Sequence, residues 1–371
     1  MPLPFVLLAG LVVPTPPRPA HLIRPAHEDD VTVTVTVDSS HHVVHIKAGP
    51  FYLPNMPKMD HHMMDMMAGG MTQVYHFTWP VEGWMRGFRS QVEDAHGKLL
   101  PKHLMHHMIG LNFSRRQLIY PAVERLFGSG AETADVTIPA TIGVPMKPGM
   151  DLGFYIMWHN DTGADLDSVY MTADLLYSPK NQNPRPVEVL PLYMDCNLTV
   201  GGSNAFDVPP GWSEKSYEFT FPIDGHLLGY GGHLHDYGVS VSLIDVESGK
   251  VVAKVTSDHD KDGKVSGVSR SLPGVRGAGV KLAAGRRYRV VGVYDNLTSD
   301  TLHNGAMAHI TGIFAPDDLS QWPKIDDTDP LYQRDLASLE AQGMDDSGDM
   351  SHMHMDHDHM DMGHSQMQHD R

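Results

Sequence analysis

Apolar and polar residues alternate with a period of two along most of this chain, the mark of β-strands with one buried face. The pattern opens in "VTVTVTVDSSHHVVHIKAGPFYL", where residues 31–37 alternate, a polar turn follows, and alternation resumes at 43–46. From Gln73 to Phe113 it returns in "VYHFTWP", "WMRGFRSQVED" and "HLMHHMIGLNF". Residues 116–130, with "RQLIYPAVERLFGSG", break the rhythm and read as an irregular loop with one short helix. "ADVTIPATIGVPMKPGMDLGFYIMWHND" and "VYMTADLLYSP" add further strands. A stretch rich in proline and asparagine, "SPKNQNPRPVEV" at 178–189, reads as a linker. Beyond it the rhythm repeats through "SYEFTFPI", "GVSVSLIDV", "KVVAKVTSD" and "MAHITGIFAP".

Short strands punctuated by Gly, Pro, Asn and Asp at this spacing predict an all-β protein of two tandem antiparallel β-sandwiches, jelly-roll-like in layout. The first is placed at 28–184 and the second at 189–318. Residues 319–371 read as a polar, Met/His-rich tail, with a short helix near 330–342 and no apolar pattern able to bury a core. Its final stretch, "MDDSGDMSHMHMDHDHMDMGHSQMQHD", is expected to be disordered without metal.

Residues 1–20, "MPLPFVLLAGLVVPTPPRPA", form a signal-like leader whose apolar stretch is too short to span a bilayer and which lacks a charged n-region. The expectation is an exported protein, secreted or periplasmic, with no integral membrane segment. A net charge of −17 argues against nucleic acid and anionic membranes as partners and suits a protein that attracts cations.

Cys196 is the one cysteine, which removes intrachain disulfides and thiolate clusters, whereas 25 histidines and 24 methionines are far above ordinary usage. Any metal must then be held by imidazole, thioether and carboxylate, a set that suits copper better than structural zinc. Methionine and histidine concentrate in two tracts, 56–71 (His61, His62, Met63, Met64) and 350–369 (Met353, His354, Met355, His357, His359). These are candidate auxiliary copper sites; nickel or zinc would satisfy their histidines alone.

Within the strands, "GGHLHDYG" carries His233 and His235 at i and i+2, on one face of a strand read here as entering "GVSVSLIDV". "KHLMHHMIGLNF" carries His103, His106 and His107; adjacent residues of a regular strand face opposite ways, so His106 and His107 converge only at a bulge or strand end. His159 closes the apolar strand in "GFYIMWHND", and Met307 opens another, with His303 and His309 nearby. Each of these, taken singly, is equally an ordinary polar strand end or core filler. "DHDKDGK" at 258–264 opens like a calcium loop, but Ser269 replaces the closing glutamate, and a hairpin turn is expected. The sequons at Asn112, Asn160, Asn197 and Asn296 mark glycosylation only in a eukaryotic secretory pathway.

The order "HHM", "WHND", linker, "GHLHDYG", "HNGAM" resembles the copper type II, ascorbate-dependent monooxygenases, the peptidylglycine α-hydroxylating enzymes among them. "GKLLPKHLMHHM" and "LHNGAMAHITGIF" are also similar to plant stress-upregulated nodulin-like proteins. The resemblance implies one copper at His106, His107 and His159, and a second at His233, His235 and Met307, with His303 and Asp236 orienting the ligands. It further implies O2 chemistry on a C–H bond of a small-molecule substrate, driven by an ascorbate-type reductant. Two positions depart from the peptidylglycine enzymes: Gly231 stands where they carry a substrate-binding arginine, and Thr311 where they carry a tyrosine. The other class of function open at this point is copper sequestration, delivery or resistance without turnover, with a copper-trafficking protein as partner.

Overall fold

A computed structural model describes residues 31–56, 73–130, 135–261 and 263–341. The leader and both Met/His tracts, with His61, His62, Met63, Met64, Met353, His354, Met355, His357 and His359, lie outside the described residues, apart from Met56 at the edge of the first tract.

The molecule is built from sheets stacked face to face, antiparallel apart from one short parallel pair, Val187–Glu188 on Ile142–Met146. In the first half, strands Thr32–Asp38, Val43–Leu53, Leu166–Pro179, Gly83–Glu93, Ile142–Met146 and Val187–Glu188 lie side by side in that order. They pack on a second sheet ordered Tyr75–Thr78, Asp151–Trp158, Met105–Arg116, Val123–Gly130. Between them sits a core that includes Val44, Ile46, Met105, Met108, Phe154 and Leu175, all essentially inaccessible. Each such side chain contributes about 1.5–3 kcal/mol by leaving water.

The second half repeats the plan. Leu190–Asp195, Ala308–Pro316, Gly225–Leu234 and Val280–Leu282 form one sheet. Gly211–Thr220, Arg287–Asn296, Gly238–Asp245, Val251–His259 and Val265–Val268 form the other, around a separate core including Met194, Leu234, Val241, Ile310 and Phe314. The fold is thus the pair of jelly-roll-like sandwiches that the strand rhythm predicts. Among the described residues no helix is long and apolar enough to cross a membrane.

Both halves use the same internal staple after a strand. Asn160 and Asn296 are buried; each donates its amide to the carbonyl four residues on, at Ala164 and Asp300, and accepts from the threonine two residues on. Asn112 is also buried and donates to Glu124. These three sequons therefore serve the interior. Val251–His259 and Val265–Val268, which flank the acidic "DHDKDGK" stretch, pair antiparallel as the expected hairpin requires.

Three segments differ from their sequence reading. Residues 117–122 do form a loop, but in place of the short helix expected within 116–130 the chain continues as strand Val123–Gly130, paired with Met105–Arg116. The pairing buries Glu124 against Asn112 and Arg115, which the local sequence cannot foretell. The "GGHLH" run does not enter the next strand; Gly225–Leu234 is a strand in its own right, and a turn over 235–238 with Tyr237 at φ 65° follows it. Gly232 is required there, because a Cβ would stand 2.5 Å from the carbonyl oxygen of His309. Finally, residues 319–341, read as the start of a polar tail, are docked on the sandwiches, with the short helix expected near 330–342 present as Pro330–Ala341. The Trp322 indole donates to the Arg116 carbonyl (2.9 Å), and helix Pro330–Ala341 inserts Tyr332 and Leu339 against Leu111 and Val123.

Candidate metal centre

Strands Leu190–Asp195, Ala308–Pro316 and Gly225–Leu234 are neighbours, and their register decides which side chains share a face. Asp195 pairs with His309, and His309 pairs with His233, so the three form one row across the sheet. One rung further on, the amide of His235 donates to the carbonyl of Met307 (3.3 Å). Directly opposed residues and i, i+2 residues project from the same side. His233, His235, Met307, His309 and Asp195 therefore share one face, while Leu234, Ala308, Ile310 and Met194 fill the core from the other. Tyr294, from the opposite sheet, donates its hydroxyl to the Met307 carbonyl (2.5 Å) and fixes this corner.

The first sandwich meets that face with its own histidines. Met105 pairs with Trp158 and His107 with Met157, so the strand carries one extra residue at His106. This bulge brings the His106 and His107 rings to the same side, with centroids 4.2 Å apart. The His107 ring then stands edge-on to His233 at 5.6 Å, across the boundary between the sandwiches. His233 also contacts His235 at 5.0 Å and stacks with His309 at 5.3 Å. His159 is buried, and its amide donates to the Leu104 carbonyl (2.9 Å), two residues before the bulge.

His309 stands apart electrostatically. Burial first, then the neighbouring His235 and His107, push its pKa down from 6.5 to about 3, so the ring is neutral at any physiological pH. Its Nδ1 lies 3.9 Å from the Asp195 carboxylate, with Nε2 on the far side of the ring. Burial pushes Asp195 up to about 6, against hydrogen bonds from Tyr193, Asn197 and Asn204. Cys196 is buried, and burial pushes its thiol up to about 12.

The other expected residues lie elsewhere. His303 is exposed, with Nδ1 3.0 Å from Asp207, and Asp236 accepts from the Val265 amide (3.0 Å) and so secures the hairpin. His103 faces Asp161 at 3.3 Å. His309 was the residue most easily missed, though "MAHI" placed it two residues from Met307 and hence on the same face.

Two imidazoles bound to one ion at about 2 Å have ring centres about 5 Å apart, which matches the spacings around His233. The donor types, neutral imidazole and thioether without thiolate, fit copper. Among the described residues, however, no three histidine, cysteine, aspartate or glutamate side chains already stand in a coordination arrangement. Ring contacts are in place; binding requires the rings to turn about their side-chain torsions.

The chain matches no protein-family model and no curated protein. Solved structures with a similar course of strands include the major capsid protein P2 from bacteriophage PM2, at 9% identity and TM-score 0.35, covering 72% of this chain and 98% of that one. Sulfolobus Turreted Icosahedral Virus gives 9%, 0.35, 85% and 98% in the same terms, and the Sputnik virophage 9%, 0.25, 84% and 90%. Likenesses this weak carry no argument about the activity of this chain.

Proposed function

We propose that this protein is an exported copper-binding protein, secreted or periplasmic, that holds copper where its two sandwiches meet. The observation that supports this best is the row of donors on one strand face, His233, His235, Met307 and His309, with His107 against it from the other sandwich. His106, His107 and His159 on one side and His233, His235 and Met307 on the other are the residues that would hold two ions. The bulge at His106 and the rung joining His235 to Met307 bring these backbone positions close, and the rings would have to turn to share an ion. Copper, when bound, would supply one-electron chemistry and an affinity for O2. Tyr294 holds the Met307 backbone, and burial keeps His309 neutral. The Met/His tracts would load or store further ions, with a copper-trafficking protein as the natural partner.

A second reading is turnover: hydroxylation of a C–H bond in a small molecule with O2 and an ascorbate-type reductant. It is favoured by the rung beside the cluster, where Gly231 faces Thr311 and only the Arg270 stem lies within 4 Å of the missing Cβ, leaving room beside the imidazoles. Copper content and Cu(I) affinity of the full chain against His235→Ala test the first reading; equal values in both would refute it. Ascorbate-dependent O2 consumption with a C–H substrate decides the second.

A further inference from the structure

We propose that Tyr193 is a redox-active tyrosine, able to give up one electron while its phenolic proton passes to Asp195, and that Tyr120 and Tyr217 carry the electron to the surface. The electron acceptor is an outer-sphere one-electron oxidant, in chemical class a high-potential metal complex, that meets the chain at Tyr217. This goes beyond copper binding and needs no metal on the histidine face.

The route is a line of ring contacts. Tyr217 is 37% exposed on Gly211–Thr220, the outermost strand of its sheet. Its ring centre lies 6.0 Å from that of Tyr120, a buried residue on the loop that leaves the first sandwich. Tyr120 lies 6.3 Å from Tyr193, Tyr193 4.8 Å from His309, and His309 5.3 Å from His233. Every step is within the range of ring-to-ring contact. The line joins the imidazole face between the sandwiches to solvent, through tyrosines from three separate segments.

What singles out Tyr193 is its proton acceptor. A phenol that loses an electron becomes a strong acid, so a lasting radical needs a base already in place. The Tyr193 hydroxyl donates to the Asp195 carboxylate (2.5 Å), and the two residues, at i and i+2 of Leu190–Asp195, share one face. Asp195 is fully buried, and its other bonds come from neutral donors, the Asn197 amide (2.7 Å) and the Asn204 side chain (3.2 Å). Oxidation breaks the Tyr193 O–H bond, forms an O–H bond on Asp195, and sends one electron to the oxidant, which is reduced by one. A phenol and a carboxylate thus become a neutral phenoxyl radical and a neutral acid. Burial favours that outcome, because it removes a desolvated negative charge. Other tyrosines lack this pairing. Tyr120 accepts from the Asp195 amide (3.1 Å), and Tyr294 donates to a peptide carbonyl, a very weak base. Tyr52 does donate to Asp165 (2.7 Å), but that carboxylate is exposed, and water already stabilises its charge.

The test is flash photolysis of the metal-free full chain with photo-oxidised ruthenium tris-bipyridine as the oxidant, followed by tyrosyl absorption and electron paramagnetic resonance. The wild type should give a long-lived tyrosyl radical that forms more slowly in heavy water, since a proton moves with the electron. Tyr193→Phe should abolish that radical, and Tyr52→Phe should leave it intact. Asp195→Asn keeps the size and an acceptor oxygen but no base. It should lower the yield about tenfold or more, because neutralising a buried carboxylate is worth more than the free energy of one decade. Tyr120→Phe should slow the radical's appearance without altering its spectrum. The same long-lived radical in Tyr193→Phe, an unchanged yield in Asp195→Asn, or no lasting radical in the wild type would overturn the proposal. With no copper in the sample, each of these results leaves the copper reading untouched.

Discussion

Asp335 anchors the C-terminal helix, and removing its carboxylate should cost far more than loss of an ordinary surface charge. Its two oxygens take a forked pair of bonds from Arg125, at 2.6 and 2.8 Å, and one also accepts from the Val123 amide at 2.8 Å. The Asp335 side chain is only 4% exposed, and Arg125 27%. In Asp335→Ala the guanidinium keeps its desolvation without its partner, and the Val123 amide loses its acceptor. Breaking a buried pair in this way costs about 3–5 kcal/mol, whereas an exposed pair is worth about 1 kcal/mol or less. Urea unfolding followed by tryptophan fluorescence measures the difference, because Trp322 lies in the same segment. Arg125→Met combined with Asp335→Leu should recover most of the loss, since apolar replacement leaves no orphaned charge. A loss under about 1 kcal/mol in Asp335→Ala would show that residues 319–341 are not docked as described.

Met307→His should retain copper while moving preference from Cu(I) to Cu(II), read by competition with chelators selective for each state; loss of binding would contradict a donor role for this position. Deleting residues 344–371 should lower copper stoichiometry and leave the melting temperature nearly unchanged, because Tyr332 and Leu339, which bury the C-terminal helix against Leu111 and Val123, stay in place. The pKa of His309 lies near 3 in the fold against an ordinary 6.5, so the unfolded chain takes up the proton first as acid is added. Stability present above pH 6.5 should thus be lost toward pH 3, by on the order of 5 kcal/mol at full extent. Asp195, raised to about 6, works in the opposite direction between 6 and 3.8. The difference between wild type and His309→Gln in metal-free urea melts across this range isolates the histidine, and parallel curves would refute its neutrality.

The strand rhythm was legible because both sandwiches bury one face of each sheet and leave the other wet or partnered. "VTVTVTV" pairs with the strand after its polar turn, Asp38 against Val43, as alternation implies. The need for a bulge at His106 was also legible, from the fact that two adjacent imidazoles cannot otherwise turn one way. What local text could not supply was cross-strand register. The row Asp195, His309, His233 joins residues far apart in the chain, and nothing near "MDCN" marks Asp195 as facing a histidine. The glycines of "GYGGHL" hid a strand, because glycine lowers strand propensity although close packing against His309 demands it. Residues 319–341 look polar for a related reason: their docking depends on one buried ion pair and a few apolar contacts rather than on a periodic face.

Crystals of the copper-loaded protein, with data collected on both sides of the copper absorption edge, test the central claim most directly. The account predicts an anomalous peak where the sandwiches meet, within coordination distance of donors from the set His106, His107 and His159 or the set His233, His235 and Met307. Copper peaks confined to sites away from this cluster, with His233 and His235 still packed ring against ring, would contradict it.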